Sequence, residues 1–196
     1  MDARAARAPL PDRVEVAVVG AGFTGLAAAC ALARRGARVA VLEAGRVGEG
    51  ASGRSGGIVL EDTAAGPLDG VEGCIPTLQK HLAETGIDCD LHLGGCFELA
   101  HRPPESAAPG PLRWRDGESA LVVEERVPGG TLDPGALLSG LLRAALEAGA
   151  TVHERTPVRS LELGGDALLE LGDRALACDA AVLGLNGYTA ELVPDL

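Results

Sequence analysis

The pattern of apolar positions changes character twice within the first 45 residues. Residues 14–19 are an apolar, β-branched run interrupted only by Glu15, the composition of a central parallel strand covered on both faces. From about residue 24 to residue 35 the apolar positions are Ala and Leu, both strong helix formers, and Gly36 stands where a left-handed C-cap belongs. Residues 38–43 return to a strand pattern. The three segments make one βαβ unit of about 30 residues. Residues 16–33 carry no charge, and a hydropathy window alone reads them as a membrane helix. Gly20, Gly22 and Gly25 interrupt the run just where β-branched residues give way to Ala and Leu. The stretch is therefore a strand, a turn and a helix buried in protein, and no integral membrane segment is expected.

Further along, residues 45–57 form a glycine-rich loop, and a helix is expected over about 70–85. Residues 91–100 read as a strand broken at Gly94-Gly95, and 102–118, rich in Pro, Gly and charge, as an exposed loop. Asp133-Pro134 is a helix start, an N-cap acceptor followed by Pro at the first helical position. That helix runs to about Ala148 and stops at Gly149. Short strands follow over 151–154, 158–163, 168–171 and 180–185, with Gly164-Gly165-Asp166 as a hairpin turn. Residues 1–13 contain Arg and Pro without an apolar segment, so they read as a disordered leader and not as a signal peptide. The fold class is α/β. One domain is expected from 14–66 and 131–196, with 67–130 belonging to a second.

Composition adjusts this picture in a few respects. The chain has 196 residues, 46% hydrophobic and 23% charged, which supports a folded core. Phe23, Phe97, Trp114 and Tyr188 are its only rings, so the core is built of Ala, Val and Leu. The net charge of −11 argues against a nucleic-acid partner. The charge is uneven, +3 over residues 1–60 and −14 over 61–196. A mildly basic first segment suits a phosphate-bearing ligand. The acidic remainder either favours a cationic substrate such as an amine or is a solvated acidic surface. The five cysteines form no CxxC pair, and His81, His92, His101 and His153 lack metal-ligand spacing. No disulfide framework or metal site is expected, and the expected compartment is the reducing cytoplasm.

Gly20-Ala21-Gly22-Phe23-Thr24-Gly25 is a GxGxxG set at the junction of strand and helix. Gly20 permits the tight turn, Gly22 lets a pyrophosphate approach the backbone, and Gly25 allows helix and strand to pack closely. The helix N-terminus offers unpaired N–H groups and the positive end of its dipole to phosphates. Glu43 lies 23 residues beyond Gly20, at the end of the second strand. A carboxylate there accepts hydrogen bonds from ribose hydroxyls and repels a 2′-phosphate, which argues against NADP. Together these features predict a dinucleotide ligand bound by Gly20, Gly22, Phe23, Thr24, Gly25, Glu43 and Ala44.

The fingerprint alone does not separate FAD from NAD. The next segment, Gly50-Ala51-Ser52-Gly53-Arg54-Ser55-Gly56-Gly57, resembles the second flavin-contacting loop of the D-amino-acid-oxidase-like superfamily. These are FAD-dependent oxidoreductases of amines and amino acids, and the closest likeness is to the branch that includes γ-glutamylputrescine oxidase. An Asp-Pro helix leading to Gly149-Ala150-Thr151-Val152 and Thr156-Pro157-Val158 resembles the family's next stretch, as does Asn186-Gly187-Tyr188-Thr189. The resemblance spans nearly the whole chain from Val14. It implies FAD as cofactor, held by a Rossmann-like domain that is interleaved with an α+β substrate domain.

By that resemblance the second loop passes the pyrophosphate and ribityl chain. Successive N–H groups of Gly50, Ala51, Gly56 and Gly57 make an anion-binding nest, and the Ser52 and Ser55 hydroxyls add donors. Arg54 either neutralises a phosphate or reduced flavin, or is a surface ion pair. Val158 either gives backbone contacts to the adenine or is core packing. Asn186 joins the cofactor set, while Tyr188 either contacts ligand or packs the strand end. His92 and Cys96 are the side chains worth testing in the substrate domain.

The resemblance also implies a larger fold, with a second block of sheet and helix and a further glycine-rich stretch against the flavin. Leu196 falls about half-way through that pattern. The expectation is a truncated or partial chain whose catalytic residues are unassigned, with a complementary chain supplying the rest as the other option. Three functions stand at this level. The first is an FAD-dependent oxidoreductase that oxidises an amine or amino-acid C–N bond by hydride transfer to flavin. The second is a noncatalytic cofactor-binding subunit that needs a partner, and the third an NAD-dependent dehydrogenase. The last predicts continuing βα units after Glu43, which the loop and short strands do not supply.

Overall fold

A computed structural model describes residues 9–61, 73–102, 113–116 and 119–194. The chain divides into two units, one comprising Met1–Gly56, Thr85–Cys89 and Pro134–Leu196, the other Gly57–Glu84 and Asp90–Asp133.

The first unit is built on the predicted βαβ element. Strand β1 (Arg13–Val19) leads into helix α1 (Phe23–Ala33) and strand β2 (Val39–Leu42). Three later strands of the chain, β8 (Thr151–His153), β10 (Ala167–Glu170) and β11 (Ala175–Leu183), join them with β9 (Ser160–Leu163) in a six-stranded sheet of order β8-β2-β1-β11-β10-β9. The first four of these strands are mutually parallel, β10 is antiparallel to β11, and β9 is antiparallel to β10. All four residues of β2 are buried, as a strand needs when both sheet faces are covered. On one face Val14, Ala17, Val19, Ala40, Leu42, Leu169 and Leu176 form a core cluster, onto which Leu10, Val158 and Leu185 pack. α1 contacts β1, β2 and β11 and lies against α3 (Pro134–Glu147). Its Gly25, Leu26, Ala29, Cys30 and Ala33 recur at three to four residues and are buried. Leu26 alone, fully buried, contributes about 2 kcal/mol over its exposed state. Gly36 ends this segment at φ +90°.

The second unit holds a two-stranded antiparallel pair, β3 (Ile58–Leu60) with β7 (Gly129–Thr131), and a three-stranded antiparallel sheet of order β4-β6-β5. The latter comprises β4 (Cys96–Arg102), β5 (Arg113–Asp116) and β6 (Ser119–Val127). Helix α2 (Cys74–Thr85) belongs largely to this unit.

Several sequence expectations change. The expected disordered leader does not extend to residue 13. The Asp12 carbonyl accepts the Ala177 N–H (3.0 Å), Leu10 packs on the core, and Arg13 opens β1 while pairing with Asp166 and Asp179. Residues 1–8 lie outside the described residues. The loop expected over 102–118 contains β5, whose four residues pair in antiparallel register with Ser119–Val122 of β6; residues 103–112, 117 and 118 lie outside the described residues. The patterning did not mark β3, β6 or β7 at all. The helix expected from about residue 70 is described from Cys74. Among the described residues, no helix is long and apolar enough to cross a membrane.

Candidate dinucleotide site

The site forms where β1 ends and α1 begins. Gly20 adopts φ +99°, a conformation side chains rarely take, and its N–H bonds the Leu42 carbonyl (2.8 Å). A Cβ on Gly25 would fall inside the Gly20 carbonyl oxygen, so only glycine lets the helix start this close to the strand. The first intrahelical bond runs from Leu26 N–H to the Gly22 carbonyl (3.0 Å). The Thr24 and Gly25 N–H groups precede that ladder. Gly22 supplies no side-chain cap, and no acidic residue sits in the first turn. The positive end of α1 thus meets no side-chain anion of its own helix, which fits a phosphate.

Two other segments close on this turn. The Glu43 carboxylate accepts the Ala21 N–H at Oε2 and the Gly45 N–H at Oε1, each at 2.8 Å. Each oxygen keeps a further acceptor position, so a ribose hydroxyl can still be received. The Ser52 hydroxyl accepts the Phe23 N–H at 3.0 Å, and the Gly48 N–H donates to the Ala21 carbonyl at 3.2 Å. Ser52, Gly53 and Arg54 form one turn of 3-10 helix whose N–H at Arg54 bonds the Ala51 carbonyl. A Cβ on Gly22 would lie 2.7 Å from Ser52 Oγ, so the glycine motif also admits the second loop.

The structure therefore brings together Gly20, Gly22, Phe23, Gly25, Glu43 and Ser52. Thr24, Ala44, Gly50, Ala51, Arg54, Ser55 and Gly56 are exposed along the same loops. Gly57, at φ +75°, falls in the second unit, where its carbonyl accepts the Leu132 N–H. Val158 is half-buried with its side chain against the core cluster. Asn186, at φ +50°, is exposed, and its carbonyl accepts the Thr189 hydroxyl (2.8 Å). Tyr188 is exposed as well.

Other residues that build the turn were not singled out by spacing. Gly184 ends the β11 segment with its N–H on the Val19 carbonyl, and a Cβ on Gly20 would lie 2.8 Å from the Gly184 oxygen. Gly48, at φ +71°, has its carbonyl where a Cβ on Gly53 would fall. At the end of β8 the His153 carbonyl accepts the Glu43 N–H, and just beyond it the Thr156 N–H reaches the Glu43 carbonyl. A glycine directly after the apolar run Ala180-Ala181-Val182-Leu183 was the available signal for Gly184. Nothing local marked the residues after β8.

His153 Nε2 lies 2.9 Å from Thr151 Oγ1, and burial, then the Arg174 charge, lowers its pKa. Burial raises the Cys30 thiol, as expected of a small core residue. In the second unit, exposed His92 contacts Asp90 Oδ1 (2.9 Å), and Cys96 Sγ faces the Val59 and Gly130 carbonyls.

The chain belongs to the FAD dependent oxidoreductase (DAO) family, whose model matches residues 15–196. The cofactor of the family is FAD, and the NAD-dependent dehydrogenase alternative is set aside. The chain is 29% identical over 223 residues to a probable oxidoreductase OrdL of Rhizobium meliloti, covering 95% of this chain and 52% of the relative. It is 36% identical over 99 residues to the gamma-glutamylputrescine oxidoreductase of Escherichia coli, 42% of this chain and 23% of that protein. The crystal structure of glycine oxidase from Geobacillus kaustophilus superposes with a TM-score of 0.71 at 25% identity, covering 93% of this chain and 58% of that one. The chain thus spans about half the length of the relatives it matches along its whole length, and its fold is part of their Rossmann-like architecture.

Proposed function

We propose that this chain is the FAD-binding portion of an oxidoreductase that oxidises the C–N bond of an amine or amino acid. The observation that carries the reading is the convergence of three segments on one helix start: the glycine turn at Gly20–Gly25, the carboxylate of Glu43 and the hydroxyl of Ser52. The N-terminus of α1, which has no side-chain cap from Gly22 and no acidic residue in its first turn, fits a pyrophosphate at the N–H groups that Ser52 leaves open. When bound, the flavin supplies a hydride acceptor for the substrate C–H beside nitrogen, leaving an imine that water hydrolyses to a carbonyl compound.

The chain's own residues bind and orient. Backbone N–H groups at Gly22, Thr24 and Gly25 hold phosphate oxygens. Glu43 receives a ribose hydroxyl while its bonds to Ala21 and Gly45 keep the carboxylate in place. Ser55, Arg54 and the N–H groups of Gly50, Ala51 and Gly56 extend the cradle, with Ala44 beside the ribose. Val158 offers backbone groups to the adenine and Asn186 closes the far side. The second unit is read as part of the substrate domain, with His92 and Cys96 as its first residues to test. The proposed compartment is a reducing cytoplasm, in keeping with five cysteines that form no CxxC pair.

The test is titration of the purified chain with FAD and with NAD, followed by anaerobic mixing of the loaded protein with a panel of amines and amino acids. A yellow complex with FAD, and bleaching by one class of amine after complementation, is expected. Tight NAD binding with no response to FAD overturns the reading.

A further inference from the structure

The connector between Glu43 and the second loop has the features of a held segment. It leaves the C-terminal end of β2, which lies between β1 and the edge strand β8, and must deliver Ser52 to Phe23. Four hydrogen bonds tie it to the turn after β8. The Glu43 N–H donates to the His153 carbonyl (2.9 Å), the Thr156 N–H to the Glu43 carbonyl (2.8 Å) and the Arg155 N–H to the Gly45 carbonyl (2.9 Å). The fourth is made by a side chain: Glu154 Oε1 accepts the Val47 N–H at 2.8 Å, across 107 positions of sequence.

The turn is shaped for this contact. Arg155 adopts φ +55°, which swings its N–H onto Gly45, and the Thr156 hydroxyl bonds the Glu154 carbonyl (3.1 Å). The residue after Val47 is Gly48, whose N–H bonds the Ala21 carbonyl inside the glycine turn. A hydrogen-bonded path therefore runs from Glu154 through Val47 and Gly48 to the start of α1.

Resting on the proposed FAD reading, we infer that Glu154 is a positioning residue for the cofactor. It touches no ligand. Its carboxylate holds the Val47 N–H so that the connector presents Gly48 to Ala21 and Ser52 to Phe23. A charge-assisted bond to a backbone N–H is stronger than a neutral one, and this one fixes a segment that otherwise pivots on glycines at 45, 48 and 50. Ordering the connector in advance removes a cost that FAD binding would have to meet.

The test compares the full chain with Glu154→Gln and Glu154→Ala. Glutamine keeps an oxygen acceptor and alanine does not. Amide exchange of the 44–49 segment is read first, without cofactor. Faster exchange at Val47 in E154A, and near-native protection in E154Q, is expected. FAD titration by flavin fluorescence is read second, with a dissociation constant raised about fivefold to tenfold in E154A and within about twofold of native in E154Q. The melting temperature of the FAD-free chain should be close to native in both variants, because the side chain is exposed. Unchanged exchange at Val47 in E154A, or equal weakening in both variants together with a fall in melting temperature, overturns the inference. A native chain that ignores FAD while exchange at Val47 still responds to E154A overturns the FAD reading, and with it the cofactor role of Glu154, but leaves the clamp.

Discussion

The Ser52 hydroxyl accepts the N–H of Phe23, the first residue of α1, at 3.0 Å. These residues are 29 positions apart, and this bond joins the second glycine-rich loop to the first. A leading helical N–H has no partner in its own helix, so Ser52 serves as a cap brought from elsewhere in the chain. Ser52→Ala removes the acceptor and frees the loop. The expected cost is about 1 kcal/mol in stability, with FAD affinity lowered several-fold. Chemical denaturation and flavin titration of the same preparation measure both. Native FAD affinity in S52A would show that the two loops bind independently.

Glycines of the two motifs should respond unequally. A Cβ on Gly25 overlaps the Gly20 carbonyl oxygen, a backbone atom that cannot move without opening the turn. Gly25→Ala is expected to cost about 3 kcal/mol, lowering the melting temperature by roughly 6–12 °C for a chain of this size. Gly50 has open space around its Cβ position and no positive φ. Gly50→Ala should stay within about 0.5 kcal/mol. Equal effects in thermal melts would mean that the Gly20 carbonyl does not confine position 25.

The contrast between these motifs also explains what was legible before the fold was known. The β1–α1–β2 unit could be read because both periods, the glycines and the acid at the strand end are local signals with one shared interpretation. Glu43 was found by its distance from Gly20. Glu154 could not be found in this way, because its partner Val47 becomes a neighbour only when β8 pairs with β2. Gly184 was hidden for a similar reason: its need for a bare Cα arises from β11 lying beside β1. β6 was missed because Glu124, Glu125 and Arg126 interrupt its apolar run. In a sheet of three antiparallel strands such residues are tolerated on the exposed positions. Its partner β5 lay in a stretch whose Pro, Gly and charge dominated the local pattern.

Glu43→Gln tests whether the carboxylate holds the turn as well as the ligand. Both of its oxygens accept backbone N–H groups, from Ala21 and Gly45. An amide has one oxygen, so one N–H is left facing another donor. The expected loss is about 1–3 kcal/mol in the FAD-free chain, together with weakened FAD binding. If Glu43 served the ribose alone, denaturation of the FAD-free E43Q chain would match the native curve.

The pH dependence of stability should carry the mark of His153. Burial, with a smaller contribution from the Arg174 charge, lowers its pKa from the ordinary 6.5. The folded chain then binds this proton less readily than the unfolded chain. Stability rises with pH wherever the unfolded state holds more protons. The contribution is present above 6.5 and is lost as pH falls below that value towards the lowered folded pKa. Glu15 and Asp166 are also lowered, by the bonds from the Arg38 backbone and the Arg13 side chain respectively. Their contributions share the same sign but disappear only in the acid range, below the ordinary 4.5 and 3.8. The melting temperature should therefore fall in two stages on acidification. His153→Asn should flatten the first stage and leave the second. Because the His153 carbonyl still accepts the Glu43 N–H in that variant, the site's backbone frame is retained and the change reports the ring alone. A first stage that persists unchanged in H153N would assign it to another group.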